Sequence, residues 1–165
     1  MKLSTIGAAF AAFALCAVAG AQTTNAPVGA AVRLGFFVPT NDDVNGSFVA
    51  FGADYNLTKY QAPFRIKGFA SSITGSVDYY RRDDYGNIPV LLNYVAKKGD
   101  YAFSVGAGVG FGTEPGRSDA NFAYQASVTY DLPTNSEIPF FFQGKFLGSD
   151  RSALDGFGFY VGVRF

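Results

Sequence analysis

Histidine is missing from the whole chain, and cysteine occurs once, at Cys16. Without an imidazole, neither a Ser-His-Asp arrangement nor a His-ligated metal is available, which excludes the lipid and peptide hydrolases that rely on a histidine base. An all-carboxylate or tyrosine-based mechanism stays open in principle. The single cysteine precludes an internal disulfide, and it lies in a stretch expected to be removed, so thiolate metal sites go with it. Excess charge of one sign is also lacking, since 13 Lys and Arg stand against 13 Asp and Glu. That balance argues against nucleic acid as a partner. Beyond the N-terminal leader no apolar run approaches the roughly 20 residues a spanning helix needs. Yet hydrophobic residues make up 48% of the chain and aromatic residues 17%. A chain this aromatic, with no long apolar run, has to sort its side chains by alternation, and alternation means strands.

The N-terminus reads as an export signal. Met1-Lys2-Leu3 is a short basic start, an apolar run covers residues 6–18, and Ala19-Gly20-Ala21 before Gln22 is a small-residue cleavage site. Leu15 stands where a lipoprotein site before Cys16 would carry a small residue. The expected organisation is a signal peptide at 1–21, a short lead at 22–29 and one domain at 30–165. Removing 21 of the 165 residues leaves 144, with 12 basic residues against 13 acidic ones and a net charge of about −1.

Eight alternating runs follow. The first, 30–38, puts Val32, Leu34, Phe36 and Val38 on one face, and the second, 47–57, does the same with Val49, Phe51, Ala53, Tyr55 and Leu57. The third, 68–80, is the least regular. Its apolar face is Phe69, Ile73, Val77 and Tyr79, and its start lies either at Gly68 or several residues earlier, because Phe64-Arg65-Ile66-Lys67 alternates in the other phase as a bulge would. Residues 81–87 read as a polar loop, 88–96 as the fourth strand and 97–100 as a tight turn. The fifth strand, 101–112, is the cleanest: Tyr101, Phe103, Val105, Ala107, Val109 and Phe111 interleave with Ala102, Ser104 and four glycines. The sixth and seventh span 121–132 and 140–147, and residues 148–155 lead into the last. An even number of strands joined by short connections suits antiparallel neighbours, and runs of about ten alternating residues are the pattern of transmembrane barrels.

The second face decides between water and lipid. It carries Gly, Ala, Ser, Thr, Asn and Gln with few charges, too bare for a soluble surface but suited to the crowded lumen of a small barrel. Six strand charges, Arg33, Asp54, Asp78, Asp131, Lys145 and Arg164, all fall on it. On a lipid face an Arg or Lys near the midplane would be unfavourable by roughly 2 to 4 kcal/mol. We therefore expect lumen ion pairs, Arg33 with Asp54, Arg164 with Asp131 and Lys145 with Asp78, either structural or part of a proton, ion or ligand path. With alternating strand directions, Tyr55, Tyr94, Tyr101, Tyr130, Phe140 and Phe165 gather near one rim and Phe36, Tyr79, Phe111, Phe122, Phe146 and Phe157 near the other. Two such belts are expected at bilayer interfaces.

Other motifs carry less. The glycines of 106–112 recur every second residue and do not fit a phosphate loop. Asp42, Asp43 and Asn45, or Asp83 and Asp84, lack the ligand count of a Ca²⁺ loop and suit turns better. Tyr80-Arg81-Arg82 is a candidate contact for lipopolysaccharide phosphates, or simply a solvated cluster. Neither cofactor nor metal is expected.

The last nine residues alternate without interruption, with Phe157, Phe159, Val161, Val163 and Phe165 on one side and Gly158, Tyr160, Gly162 and Arg164 between them. This resembles the C-terminal strand of bacterial outer-membrane β-barrel proteins, and the resemblance implies that these five residues are the signal read by the barrel-assembly machinery. Together with the 101–112 run and the turn spacing, the mature chain resembles the small eight-stranded outer-membrane barrel family (OmpA/OmpX-like and related porin-family barrel domains). The resemblance implies an all-β, eight-stranded antiparallel up-and-down transmembrane barrel in the outer membrane of a Gram-negative bacterium, a monomer with outer-membrane lipid and lipopolysaccharide as its partners. Short outer loops and no appended peptidoglycan-binding domain depart from larger members, so cell-wall tethering and adhesion are not expected. A non-enzymatic structural or interaction role in the cell envelope is the first expectation. A narrow pore for small solutes is the second, favoured by Gly and Ser on the fifth and sixth strands and opposed by inward Phe37, Phe48, Leu91, Phe141 and Tyr160. A soluble carrier is disfavoured by the composition of the lumen.

Overall fold

The structure, a computed structural model, describes residues 29–41, 44, 46–57, 66–133, 139–150 and 152–165. The leader with Cys16, the lead through residue 28, the Asp42, Asp43 and Asn45 run and the Phe64-Arg65 stretch of the irregular strand lie outside the described residues.

Eight strands form, β1 (Ala30–Pro39), β2 (Phe48–Asn56), β3 (Ala70–Arg82), β4 (Tyr85–Lys98), β5 (Tyr101–Glu114), β6 (Arg117–Asp131), β7 (Phe140–Ser149) and β8 (Gly156–Arg164), with one 3-10 turn at Ser152–Leu154. Each strand runs antiparallel to the next, and β8 pairs with β1 from Ala31 opposite Arg164 to Pro39 opposite Gly156, so the sheet is a closed barrel. The expected all-β, eight-stranded antiparallel fold is the observed one. Closure leaves no free sheet edge along the paired length, which removes the main liability of a long antiparallel sheet. Phe165 extends the seam: its N–H donates to the Ala30 carbonyl at 2.8 Å, and its own carbonyl accepts from Gly29 at 2.8 Å.

The strand ends differ from the sequence reading. Residues 81–87 are not a loop. β3 continues to Arg82 and β4 starts at Tyr85, with Arg81 opposite Gly86 and Arg82 opposite Tyr85 around an Asp83-Asp84 turn. Polar side chains do not stop backbone pairing, and the turn needs only Asp83 at φ 51°, a conformation Asp tolerates better than most residues. In the same way β5 and β6 reach Glu114 and Arg117 around Pro115-Gly116, where Gly116 takes φ 76°. Lys97 and Lys98 belong to β4, and the tight turn is Gly99-Asp100. β3 begins at Ala70, two residues after Gly68, whose φ of 85° belongs to the preceding turn.

Side chains separate cleanly by parity. Leu34, Phe36, Phe51, Tyr55, Leu92, Phe103, Val105, Phe111, Phe122, Tyr124, Phe142, Phe159 and Val161 stand exposed on the outside. Aromatic pairs bridge neighbouring strands there, Phe36 with Phe159 at 5.6 Å between ring centroids, Tyr101 with Tyr130 at 5.0 Å and Phe146 with Phe157 at 5.2 Å. Cross-strand contacts of this kind stabilise a sheet by roughly 0.2 to 1 kcal/mol each. The core lies inside the barrel, where Phe37, Phe48, Ala50, Tyr80, Leu91, Ala123, Leu147 and Tyr160 pack together.

Candidate functional site

The lumen is the candidate site, and its chemistry begins with the six charges. Arg33 on β1 lies inside with a fully buried guanidinium. Its Nη1 pairs with Asp54 on β2, and its Nη2 donates to Asp78 Oδ1 on β3 at 2.7 Å. Lys145 on β7 reaches the other oxygen, Asp78 Oδ2, at 2.8 Å. The structure therefore joins two of the expected pairs into one cluster of four, centred on Asp78. Two positive and two negative groups balance, as buried charges must. Tyr160 on β8 supplies an aromatic face to both cations, 5.5 Å from the Arg33 guanidinium and 5.8 Å from Lys145 Nζ. Gly52 makes the arrangement fit: a Cβ there would come within 2.5 Å of Arg33 Nε and 2.7 Å of its Cζ.

The remaining charges sit at the rim where β1 begins and β8 ends. Arg164 donates to Asp131 Oδ1 at 2.9 Å through Nη2, and its guanidinium lies 4.6 Å from the Phe141 ring centroid. Lys97 also pairs with Asp131, a contact the sequence does not show because Lys97-Lys98-Gly99-Asp100 reads as a turn.

Between rim and cluster runs a neutral polar lane. Ser104 and Ser127 share a hydrogen bond of 2.7 Å, Gln143 Nε2 donates to Thr129 Oγ1 at 3.0 Å and to Ser127 Oγ at 3.3 Å, and Asn93 Nδ2 donates to Ser76 Oγ at 2.9 Å. Gln125 donates to Asn93 Oδ1. Serine and glycine on β5 and β6 do line this wall.

The opposite end is apolar. Phe37 and Tyr80 stack at 4.0 Å between centroids, Phe48 lies beside them at 5.8 Å from Phe37, and Leu147 and Leu154 are buried with them. The 3-10 turn is held in place by Tyr80, whose hydroxyl donates to the Leu154 carbonyl at 2.9 Å. Thr40 N–H and Ser149 N–H fix Asp155 at 2.9 Å and 2.7 Å, through its carbonyl and its Oδ1 respectively. Tyr80 thus departs from the sequence reading, which placed it with Arg81 and Arg82 at the rim. It is 1% exposed, while Arg82 is exposed and 3.7 Å from Asp83. The signal was available, because Tyr80 shares the parity of Asp78.

The residues of the terminal strand are placed as follows. Phe157, Phe159 and Val161 are exposed on the outer surface, and Val163 and Phe165 are half-buried near the rim. Asp83 and Asp84 form a turn, and among the described residues no three carboxylates gather to hold a metal.

The barrel is similar to the backbone structure of the Yersinia pestis outer membrane protein Ail in a phospholipid bilayer nanodisc, with a TM-score of 0.51 and 15% sequence identity over 82% of this chain and 98% of that one. No family model and no curated protein matches the chain. At this identity the likeness extends to the fold.

Proposed function

We propose that the chain is an integral outer-membrane barrel of a Gram-negative cell envelope, exported by its leader and non-enzymatic, with a structural or interaction role. The outer surface supports the location. Exposed Leu, Val, Phe and Tyr stand on every strand except β3, whose outward Ile73, Val77 and Tyr79 are half-buried, and so much contiguous apolar area requires an apolar neighbour. Lipid and lipopolysaccharide are the partners this surface suits, and the terminal strand is the segment for the assembly machinery to read. The protein acts as a monomer.

One observation carries the choice of a closed barrel over a pore: Phe37, Phe48, Tyr80, Phe141, Leu147 and Leu154 all point inward and are less than 2% exposed. A water-filled channel would leave such side chains wet. The polar lane of Ser104, Ser127, Gln143 and Thr129 favours the second reading, a narrow conduit for small solutes. Planar-bilayer recording on the refolded protein separates the two. A silent bilayer is expected, and steady open channels of appreciable size would establish the conduit instead. Heat-modifiable migration in detergent gels is expected in either case, because it reports the folded barrel.

A further inference from the structure

From Gly106 to Gly112, strand β5 offers the lumen no side chain at its inward positions, and its neighbours lean into the space. A Cβ atom at Gly110 would meet Asn121 Oδ1 of β6 on one side and Asn87 Oδ1 of β4, at 2.8 Å, on the other. Two carboxamides from strands that are not neighbours therefore face each other across bare backbone. Both are interior, with Asn87 2% and Asn121 6% exposed.

Their hydrogen bonding is incomplete in a specific way. Asn87 Nδ2 donates to the Tyr80 hydroxyl at 3.2 Å, and that hydroxyl gives its only proton to the Leu154 carbonyl. The Asn87 atom turned toward Tyr80 is thus its NH₂ group, which leaves Asn87 Oδ1 an acceptor without a donor. Asn121 has no partner for Oδ1 or for Nδ2. Buried side-chain amides are rarely left so, and a buried amide in want of partners is where an interior water or a molecule of similar chemistry binds.

We infer that Asn87 and Asn121, floored by Gly110, form a binding site for a neutral, water-sized hydrogen-bonding molecule that donates to Asn87 Oδ1 and pairs with the Asn121 amide. The site is neutral in itself, since its lining groups are two carboxamides, a phenol and backbone. Both amides come within about 3 Å of the point a Gly110 Cβ would take, so the space they share over that glycine is narrow and admits only a small molecule. Through Asn87, Tyr80 and Leu154 the guest joins a continuous set of hydrogen bonds that ends on the 3-10 turn, so its presence helps to order that end of the barrel.

The test uses the mature barrel refolded in detergent micelles, with magnetisation transfer from water to the ¹⁵N-labelled side-chain amides as the readout and water itself as the probe. Contacts with long-lived water are expected at both Asn87 and Asn121. In Gly110→Ala the added methyl crowds both amides and closes the space they share, and both contacts should vanish while heat-modifiable migration persists. If Gly110→Ala fails to fold, Asn121→Leu read at Asn87 serves instead, and the contact there should vanish. A wild-type barrel with no water contact at either amide would overturn the inference. So would contacts that survive unchanged in the substituted, folded protein.

Discussion

The lumen contains two clusters built on the same plan and finished differently. On one wall, Arg33 and Asp78 lie across Gly52 of β2; on the other, Asn87 and Asn121 lie across Gly110 of β5. In both, a glycine on one strand makes room for large groups from its neighbours, so a narrow barrel fills by setting bulk against its absence. The ionic cluster is internally complete, with both Asp78 oxygens and both cations engaged. The amide cluster leaves three atoms without partners. Charges impose that difference: an unpaired buried ion is far more costly than an unpaired buried amide, so only the first must be satisfied by the protein itself.

Removing Asp78 should break the comparison most severely. Asp78→Ala leaves Lys145 and Arg33 sharing Asp54 alone, and a loss of about 3 to 5 kcal/mol is expected in denaturant unfolding of the refolded barrel. Asp78→Leu combined with Lys145→Met removes one charge of each sign, and should cost less than Asp78→Ala by itself. A double variant no better than the single one would show that packing around Asp78, and not charge balance, governs this wall.

Glycine substitutions come next in size. Gly52→Ala pushes a methyl against Arg33 and Asp78 and should destabilise by about 1 to 3 kcal/mol. Gly144 faces open space, with nothing within 4 Å of an added Cβ. Gly144→Ala should therefore leave stability unchanged or slightly higher, by the same unfolding measurement. Equal losses at the two positions would mean that the glycines serve strand geometry and not the clusters.

The smallest effect belongs to the polar lane. Ser127→Ala removes the bond to Ser104 and the one from Gln143, and a change of about 0.5 to 1.5 kcal/mol is expected. A loss as large as that of Asp78→Ala would place the lane, and not the ions, at the centre of the lumen's stability.

Alternation made the walls legible from sequence, because parity alone sends Arg33, Asp54, Asp78, Lys145 and Tyr160 inward while Phe103, Tyr124 and Phe159 turn out. What parity does not carry is distance around the ring. Parity and register give Arg33 with Asp54 and Lys145 with Asp78 as separate pairs; the contact from Arg33 to Asp78, two strands away, is the one that joins them and that the sequence does not show. Strand ends were also obscured. Residues near a rim are polar whether or not their backbone pairs, so sequence alone places Asn87 in a loop and hides the amide cluster. Leu154 gave no signal, since a turn of three residues shows no period.

The seam between β1 and β8 has a kinetic meaning. The consecutive strands β3 to β6 are joined by turns of two residues, whereas Ala31 pairs with Arg164 across almost the whole length of the barrel's chain. Loop closure over such a length is only modestly less favourable than over a short one, at about 0.6 kcal/mol for each doubling. Closing the ring pairs the two strands farthest apart in the chain, so the seam is the most non-local contact of the barrel, and non-local pairing is what slows folding.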